Sequence, residues 1–162
     1  MVTTPAYVDR EVESIVCKYG LLPPEELAGA LRVDVLEVPL PHGHIRGASL
    51  GEYIIVDANL PRRLRRRTLL HECGHRVLHP GWNRFFLQKA TFYPPGQFEL
   101  EAELFGLLYT IRWDSFWLEE CGNLYYFADS YGFWRRAVDA VVPYIVSHPS
   151  LKLLVQFGGG NG

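Results

Sequence analysis

The pattern of apolar and polar positions divides the first quarter of the chain into two helices and a strand. Apolar side chains recur at helical spacing over residues 5–19, charged residues fill the gaps, and Gly20 stands where a helix C-cap glycine belongs. Pro24 and the acids that follow it predict the start of a second, short helix. A stretch rich in β-branched residues over 33–40, closed by prolines, then predicts a strand.

Two short segments farther along predict a β-hairpin. Residues 45–48 and 53–57 are separated by four residues that include Gly51, which suits a glycine turn. We therefore expect a small antiparallel sheet. We also hypothesise that the strand over 53–57 is an edge strand, to which an extended peptide adds as a further strand.

The second half of the chain is predicted to be mainly helical. Asn59 is suited to cap a central helix over residues 61–79, and Pro61 suits its first turn. An irregular loop is expected over residues 80–96 and a second long helix over 97–113, followed by aromatic-rich helical segments.

These elements fit one α+β domain over residues 1–157. Its core is expected over 5–113, with a C-terminal helical extension over 114–157 and a flexible glycine-rich tail over 158–162. A chain of 162 residues is long enough for a substantial core, because a domain of this size buries roughly 68–70% of its unfolded surface.

Composition narrows the function classes. The formal net charge is −2, from 16 basic and 18 acidic residues, which gives no electrostatic case for direct nucleic-acid binding. Three cysteines at irregular spacing fit reduced thiols better than a disulfide framework. The N-terminal residues lack a signal-peptide pattern, and no apolar run reaches the length of a membrane span. We therefore expect a cytoplasmic protein with no membrane segment.

The central helix contains a His-Glu-x-x-His sequence at residues 71–75. Positions i and i+4 of a helix share one face, so His71 and His75 can both point at one metal ion. Glu72 would project beside that ion, where its carboxylate can accept a proton from an attacking water and pass it to a leaving amine. The motif therefore predicts a catalytic metal site for peptide hydrolysis, with Glu72 as general base. The alternative is a pair of histidines on the helix surface.

A catalytic zinc site needs a third protein ligand. His79 lies eight residues after His71, about 12 Å along the helix axis, which is too far for both to bind one ion. We expect His79 instead to be partly exposed and to cap carbonyl groups at the helix end.

The following helix offers better candidates for the third ligand. Glu99 and Glu103 share one face of that helix, so one carboxylate can bind the metal. The other can accept a hydrogen bond from a ligand imidazole, which fixes the tautomer and orientation of that ring. The alternative is a solvated acidic helix start, and Glu101, out of phase with the other two, is expected to be of that kind. Small residues at Gly74, Ala102 and Gly106 would let the two helices approach closely.

At this point the chain resembles the ImmA/IrrE family of metallopeptidases over most of residues 5–113. The matching features, in order, are a helix, a proline-led short helix, a strand, a hairpin, arginines at 65–67, the motif at 71–75 and the acidic helix start at 99–106. The resemblance implies a zincin-like fold related to the gluzincins, with Glu99 as the third ligand. Glu103 falls where the family usually has Asp or Asn, in a supporting role.

The resemblance also implies a function. It suggests a zinc-dependent endopeptidase, with one Zn²⁺ per chain, that cleaves a helix-turn-helix transcriptional repressor and so switches on mobile-element or stress genes. Mn²⁺ and Fe²⁺ are alternative metals. The alternative function is a weakly active or inactive metal-binding protein that regulates by binding a repressor or another protein. A DNA-reading role for residues 124–138, whose rhythm resembles a helix-turn-helix, is a weaker third possibility.

The sequence leaves the oxyanion donor and the role of the arginine cluster open. A donor for the reaction's oxyanion is expected at Tyr93, which lies between the two ligand helices, or at one of four alternatives: His42, His44, Tyr53 and His148. Five arginines within residues 62–67 either form a docking surface for an acidic partner or pair with acids of the first helices, which we favour.

Overall fold

A computed structural model describes residues 5–41, 45–81 and 95–156 of the chain. These residues form an α+β fold in which a three-stranded sheet lies between two groups of helices along the sequence. The elements in chain order are α1 (Pro5–Tyr19), α2 (Pro24–Ala30), β1 (Asp34–Val38), β2 (Gly47–Leu50), β3 (Tyr53–Asp57), α3 (Arg62–Leu78), α4 (Pro95–Trp113), α5 (Ser115–Cys121), α6 (Leu124–Tyr131), α7 (Arg135–Ser147) and α8 (Pro149–Gln156).

The predicted helix boundaries agree closely with these elements, but one predicted cap is wrong. Gly20 follows α1 with a φ of 81°, a conformation that glycine adopts without strain. Pro61, not Asn59, precedes the first residue of α3, and no side chain caps that end. The backbone N–H of Asn59 instead donates to Asp57 Oδ1 over 3.0 Å, which turns the chain from β3 toward α3.

The sheet is mixed rather than antiparallel. β2 and β3 form the predicted antiparallel hairpin, whereas β1 runs parallel to β3, in the spatial order β1-β3-β2. β3 lies in the centre of this sheet, and its Ile54 and Val56 side chains are buried on one face. The hypothesis that residues 53–57 form an edge strand is therefore wrong. The edges of the described sheet are β1 and β2.

The extension packs onto the core instead of standing apart from it. Phe127, Tyr131 and Phe133 are buried and belong to the same hydrophobic cluster as residues of α1, α3 and α4. The guanidinium of Arg63 lies over the Trp117 ring, 3.9 Å from its centroid. Residues 158–162, predicted to be a flexible tail, lie outside the described residues. Among the described helices none is by itself long and apolar enough to cross a membrane; α7 and α8 together reach that length, with a bend of 116° between them.

Helices α3 and α4 touch almost backbone to backbone. A Cβ atom placed on Gly74 would lie 3.0 Å from the carbonyl oxygen of Ala102 and 3.1 Å from the Phe105 Cβ. At Gly106 the corresponding neighbours include the Leu70 Cβ at 3.6 Å. The small residues identified in the sequence therefore lie where the two helices cross.

We predict opposite effects for two helical Gly→Ala substitutions. Gly74→Ala forces the added methyl against the α4 backbone, which cannot move aside, and should destabilise the fold by about 1–3 kcal/mol. Gly29→Ala in α2 meets nothing within 4 Å and should raise stability by up to about 1 kcal/mol through helix propensity. Urea unfolding of both variants measures these changes. Equal stability changes would contradict the close helix contact.

Candidate metal centre

The nitrogen and oxygen donors of three side chains converge between α3 and α4. One turn of α3 separates His71 from His75, and their rings meet edge to face with centroids 4.9 Å apart. From α4, Glu99 Oε2 lies 3.1 Å from His71 Nε2, and Glu99 Oε1 lies 3.5 Å from His75 Nε2. One donor atom from each of the three residues lies within 4.8 Å of the others.

The donor set fits a metal ion. Ligands about 2.0–2.1 Å from a tetrahedral zinc lie about 3.3 Å from one another, close to the separations between Glu99 and the two imidazoles. His75 Nε2 is buried and has no hydrogen-bond partner among the described residues. A buried ring nitrogen of this kind is what a metal ligand requires. Two histidines and one glutamate also make up a common donor set for catalytic zinc.

The carboxylates of α4 favour positive charge at this place. Burial by itself lowers the pKa of His71, but hydrogen bonds to Glu103 and Glu99 outweigh it and raise the pKa to about 9. Burial would raise the pKa of Glu99, yet the two imidazoles hold it well below its ordinary value. The Glu99 carboxylate is therefore ionised at neutral pH, as a metal ligand has to be.

Glu103 is a fully buried acid with three hydrogen-bond partners among the described residues. Its Oε2 lies 3.0 Å from His71 Nδ1 and 2.5 Å from Arg67 Nη2, and its Oε1 accepts from the backbone N–H of Trp134 over 2.9 Å. Burial would raise the pKa of Glu103, but His71 and Arg67 hold it below its ordinary value. The carboxylate therefore faces the side of the His71 ring opposite Glu99.

Glu72, the predicted general base, is buried beside this cluster. Its charge contributes to the raised pKa of His71. Gly47 at the start of β2 lies against the same part of α3, since a Cβ placed there would meet Thr68 Cγ2 at 2.6 Å and Glu72 Cγ at 3.8 Å. An edge strand of the sheet thus runs directly beside Glu72.

The predicted exposure of His79 and Glu101 is wrong, although His79 does end α3 as its C-cap, with its backbone N–H donating to the His75 carbonyl oxygen over 3.0 Å. Both side chains are buried, with relative exposures of 7% and 4%, and His79 Nε2 lies 2.6 Å from Glu101 Oε2. His79 Nδ1 lies 3.3 Å from His75 Nδ1. Burial lowers the pKa of His79, despite its hydrogen bond to Glu101. His79 therefore contacts the Nδ1 side of the His75 ring. Glu101 is buried against His79 and is not a solvated acid of the helix start.

The remaining candidates fall into two groups. Tyr93, His42 and His44 lie outside the described residues, so their part as oxyanion donors stays a prediction. Tyr53 is exposed on β3, and His148 Nδ1 lies 2.8 Å from the carbonyl oxygen of Tyr144 at the end of α7. Cys73, within the motif, is fully buried, and burial raises its pKa to about 12, which makes its thiol unreactive.

The arginines of α3 are mostly engaged within the protein. Arg66 Nε donates to Glu25 Oε1 of α2 over 2.9 Å, which is the predicted pairing with acids of the first helices. Arg65 Nη1 lies 3.5 Å from Glu37 Oε2 of β1. Sequence reasoning grouped Arg67 with the other arginines and did not predict its pairing with Glu103. Its position four residues before His71 could have indicated this, because it places Arg67 on the face of α3 that meets α4.

Trp134 is a second residue that the sequence did not indicate. The residue is 40% exposed, and its ring lies 5.8 Å from the His71 ring, centroid to centroid. The guanidinium of Arg67 lies 5.5 Å from the same indole. The extension thus contributes both a backbone donor and a partly exposed aromatic ring to the surroundings of the candidate metal centre.

Comparison with known proteins assigns the chain to a family. The model of the Peptidase_M78 family, described as the IrrE N-terminal-like domain, matches residues 28–116, more than half of the chain. "Uncharacterized immunity region protein 2" of Bacillus phage phi105 is 30% identical over 99 residues, which is 59% of this chain and 63% of that protein, so the match spans less than two thirds of its length. No solved structure matches significantly. Because the family match includes the whole of α3 and the part of α4 that carries Glu99, we conclude that the chain belongs to the Peptidase_M78 family of IrrE N-terminal-like domains.

Proposed function

We propose that the protein is a zinc-dependent endopeptidase that regulates transcription by cleaving a helix-turn-helix repressor. The observation that carries this proposal is the convergence of His71, His75 and Glu99 beside the buried Glu72. A purely structural zinc is usually held by four protein ligands and needs no adjacent carboxylate base. Three donors with a base beside them favour catalysis.

In this proposal His71, His75 and Glu99 hold the ion. When bound, the ion supplies a Lewis acid that polarises the scissile carbonyl and acidifies the attacking water. Glu72 accepts a proton from that water as its oxygen bonds to the carbonyl carbon, and then delivers the proton to the amine nitrogen as the C–N bond breaks. Glu103 keeps the His71 ring oriented through its Nδ1.

The sheet supports a binding mode for an extended substrate. β2 pairs only with β3 among the described strands, so its other edge can accept a peptide by backbone hydrogen bonding. Gly47 brings β2 against Thr68 and Glu72. A peptide added along β2 would therefore cross the centre next to the base, which assigns to β2 the docking role first suggested for residues 53–57.

Similarity to an immunity region protein of a phage supports a regulatory substrate. We propose that this substrate is a repressor of the helix-turn-helix class and that cleavage takes place in the cytoplasm, where such repressors act. Selective cleavage would relieve repression without general proteolysis. The competing function is relief of repression by binding alone, and it differs in one respect, because it does not need Glu72.

The first prediction of the proposed function concerns the metal. Wild-type protein purified without chelator should contain about one zinc per chain, and Glu99→Ala should lose most of it, because two ligands hold zinc far more weakly than three. Elemental analysis measures the content. Glu119→Ala, which removes an exposed carboxylate of α5, is the matched control and should keep the wild-type content. A metal-free wild type, or full occupancy in Glu99→Ala, would contradict the proposed ligand set.

The second prediction concerns Glu72. Glu72→Gln should keep its zinc but lower the rate of peptide-bond cleavage by about 10²–10⁴-fold, since the amide cannot accept the proton. The assay incubates zinc-loaded protein with purified helix-turn-helix repressors from the source genome and detects fragments by mass spectrometry.

A reporter gene under the control of the same repressor distinguishes the two functions. Wild type should restore expression and Glu72→Gln should not, whereas Glu119→Gln should behave as wild type. If Glu72→Gln restores expression as well as wild type and no fragments form, the binding function replaces the peptidase function.

A further inference from the structure

We propose that His79 and Glu101 form a positioning relay that orients the ligand imidazole of His75. This inference rests on the metal centre of the proposed function and adds two residues to it. Neither residue touches the site of the ion. Both act through His75, in the way that Glu103 acts directly on His71.

The distances define a chain of hydrogen bonds that uses three of the four ring nitrogens of His75 and His79 and leaves His75 Nε2 outside it. His75 Nδ1 lies 3.3 Å from His79 Nδ1, and His79 Nε2 lies 2.6 Å from Glu101 Oε2. With both rings neutral, His75 Nδ1–H donates to His79 Nδ1, and His79 Nε2–H donates to the carboxylate. Only this arrangement leaves the Nε2 lone pair of His75 free, on the side where Glu99 lies.

Burial indicates that the relay is built into the core. Glu101 is 4% exposed, and a carboxylate is rarely buried to this extent unless it is hydrogen bonded. The ring of Phe98 meets that of His79 edge to face, with centroids 4.4 Å apart, and covers the pair. Gln97 Nε2 donates to the other oxygen of Glu101 over 3.3 Å. The carboxylate is thus held in one orientation toward His79.

Helix geometry explains why an intermediate histidine is needed. Glu99 and Glu103 are four residues apart and reach the same side of α4, so both can contact His71 directly. Glu101, two residues from each, projects about 200° around the helix axis from them, and its Oε2 lies against His79. His79, one turn beyond His75, bridges that separation.

The relay has a chemical consequence for metal binding. A hydrogen bond from the remote ring nitrogen to a negatively charged acceptor fixes the tautomer of a ligand histidine and raises its basicity, and loss of such a partner typically costs 10–100-fold in metal affinity. Glu103 supplies this effect to His71. The charge of Glu101 supplies it to His75, transmitted by the His79 ring.

Zinc affinity tests the relay without requiring cleavage activity. Competition with a chromophoric chelator should show about a 10–100-fold weaker zinc affinity for His79→Leu and about a tenfold weaker affinity for Glu101→Gln. His79→Gln should stay closer to wild type, because its amide oxygen accepts from His75 and its amide N–H donates to Glu101. Asp9→Asn is the matched control, since it neutralises a buried carboxylate that contacts Arg112 and Tyr144 and should leave zinc affinity unchanged.

Nitrogen-15 NMR of the zinc-loaded proteins supplies the second measurement. The His75 signals should report a protonated Nδ1 in wild type, and this Nδ1–H signal should shift or exchange faster in Glu101→Gln even where that variant is fully folded. If His79→Leu fails to fold, the zinc affinities and His75 signals of Glu101→Gln and His79→Gln still test the relay.

The outcomes separate the relay from the peptidase. Wild-type affinity and an unchanged His75 signal in Glu101→Gln and His79→Leu would overturn the relay and leave the proposed function standing. Reduced zinc affinity in these variants, with no repressor cleaved by wild type, would support the relay and overturn the peptidase. A wild type that binds no zinc would overturn both.

Discussion

The close approach of α3 and α4 is the constraint on which the candidate centre depends. Gly74 and Ala102 bring the two backbones nearly into contact. Because imidazole and carboxylate side chains are short, their donor atoms can converge on one point only when the backbones are this close. Each helix alone supplies only one or two donors. Their crossing turns three separate side chains into a site whose donor separations suit a single ion.

The second determinant is buried charge. Glu103 is completely buried and ionised, and its charge is balanced by Arg67, His71 and the backbone N–H of Trp134. Removing one partner from such a buried pair typically costs about 3–5 kcal/mol, because the remaining charge is left without compensation. The same contacts that orient the His71 ring therefore also hold α3, α4 and the start of α7 in one arrangement.

Sequence reasoning recovered the parts of this protein that depend on local periodicity. The α1, α3 and α4 helices, the hairpin and the pairing of His71 with His75 on one face follow from spacing alone. The parallel pairing of β1 with β3 did not, because the order of strands in a sheet depends on contacts between segments that are not adjacent in the chain, and local spacing does not contain them. His79 and Glu101 were assigned to the surface for a similar reason: a helix-end histidine and an out-of-phase acid are usually solvated, and only the tertiary structure places them against each other.

The N–H of Trp134 has a consequence for what counts as the folding unit. The family resemblance measured by sequence ends at residue 116, yet the carboxylate behind His71 takes one of its hydrogen bonds from beyond that point. A protein cut at the end of the family match would retain every proposed ligand while one oxygen of a fully buried carboxylate lost its backbone donor. Any segment that replaced the C-terminal helices would have to bring a backbone N–H to the same oxygen, so this hydrogen bond constrains where the main chain of residue 134 lies and not which side chain it carries.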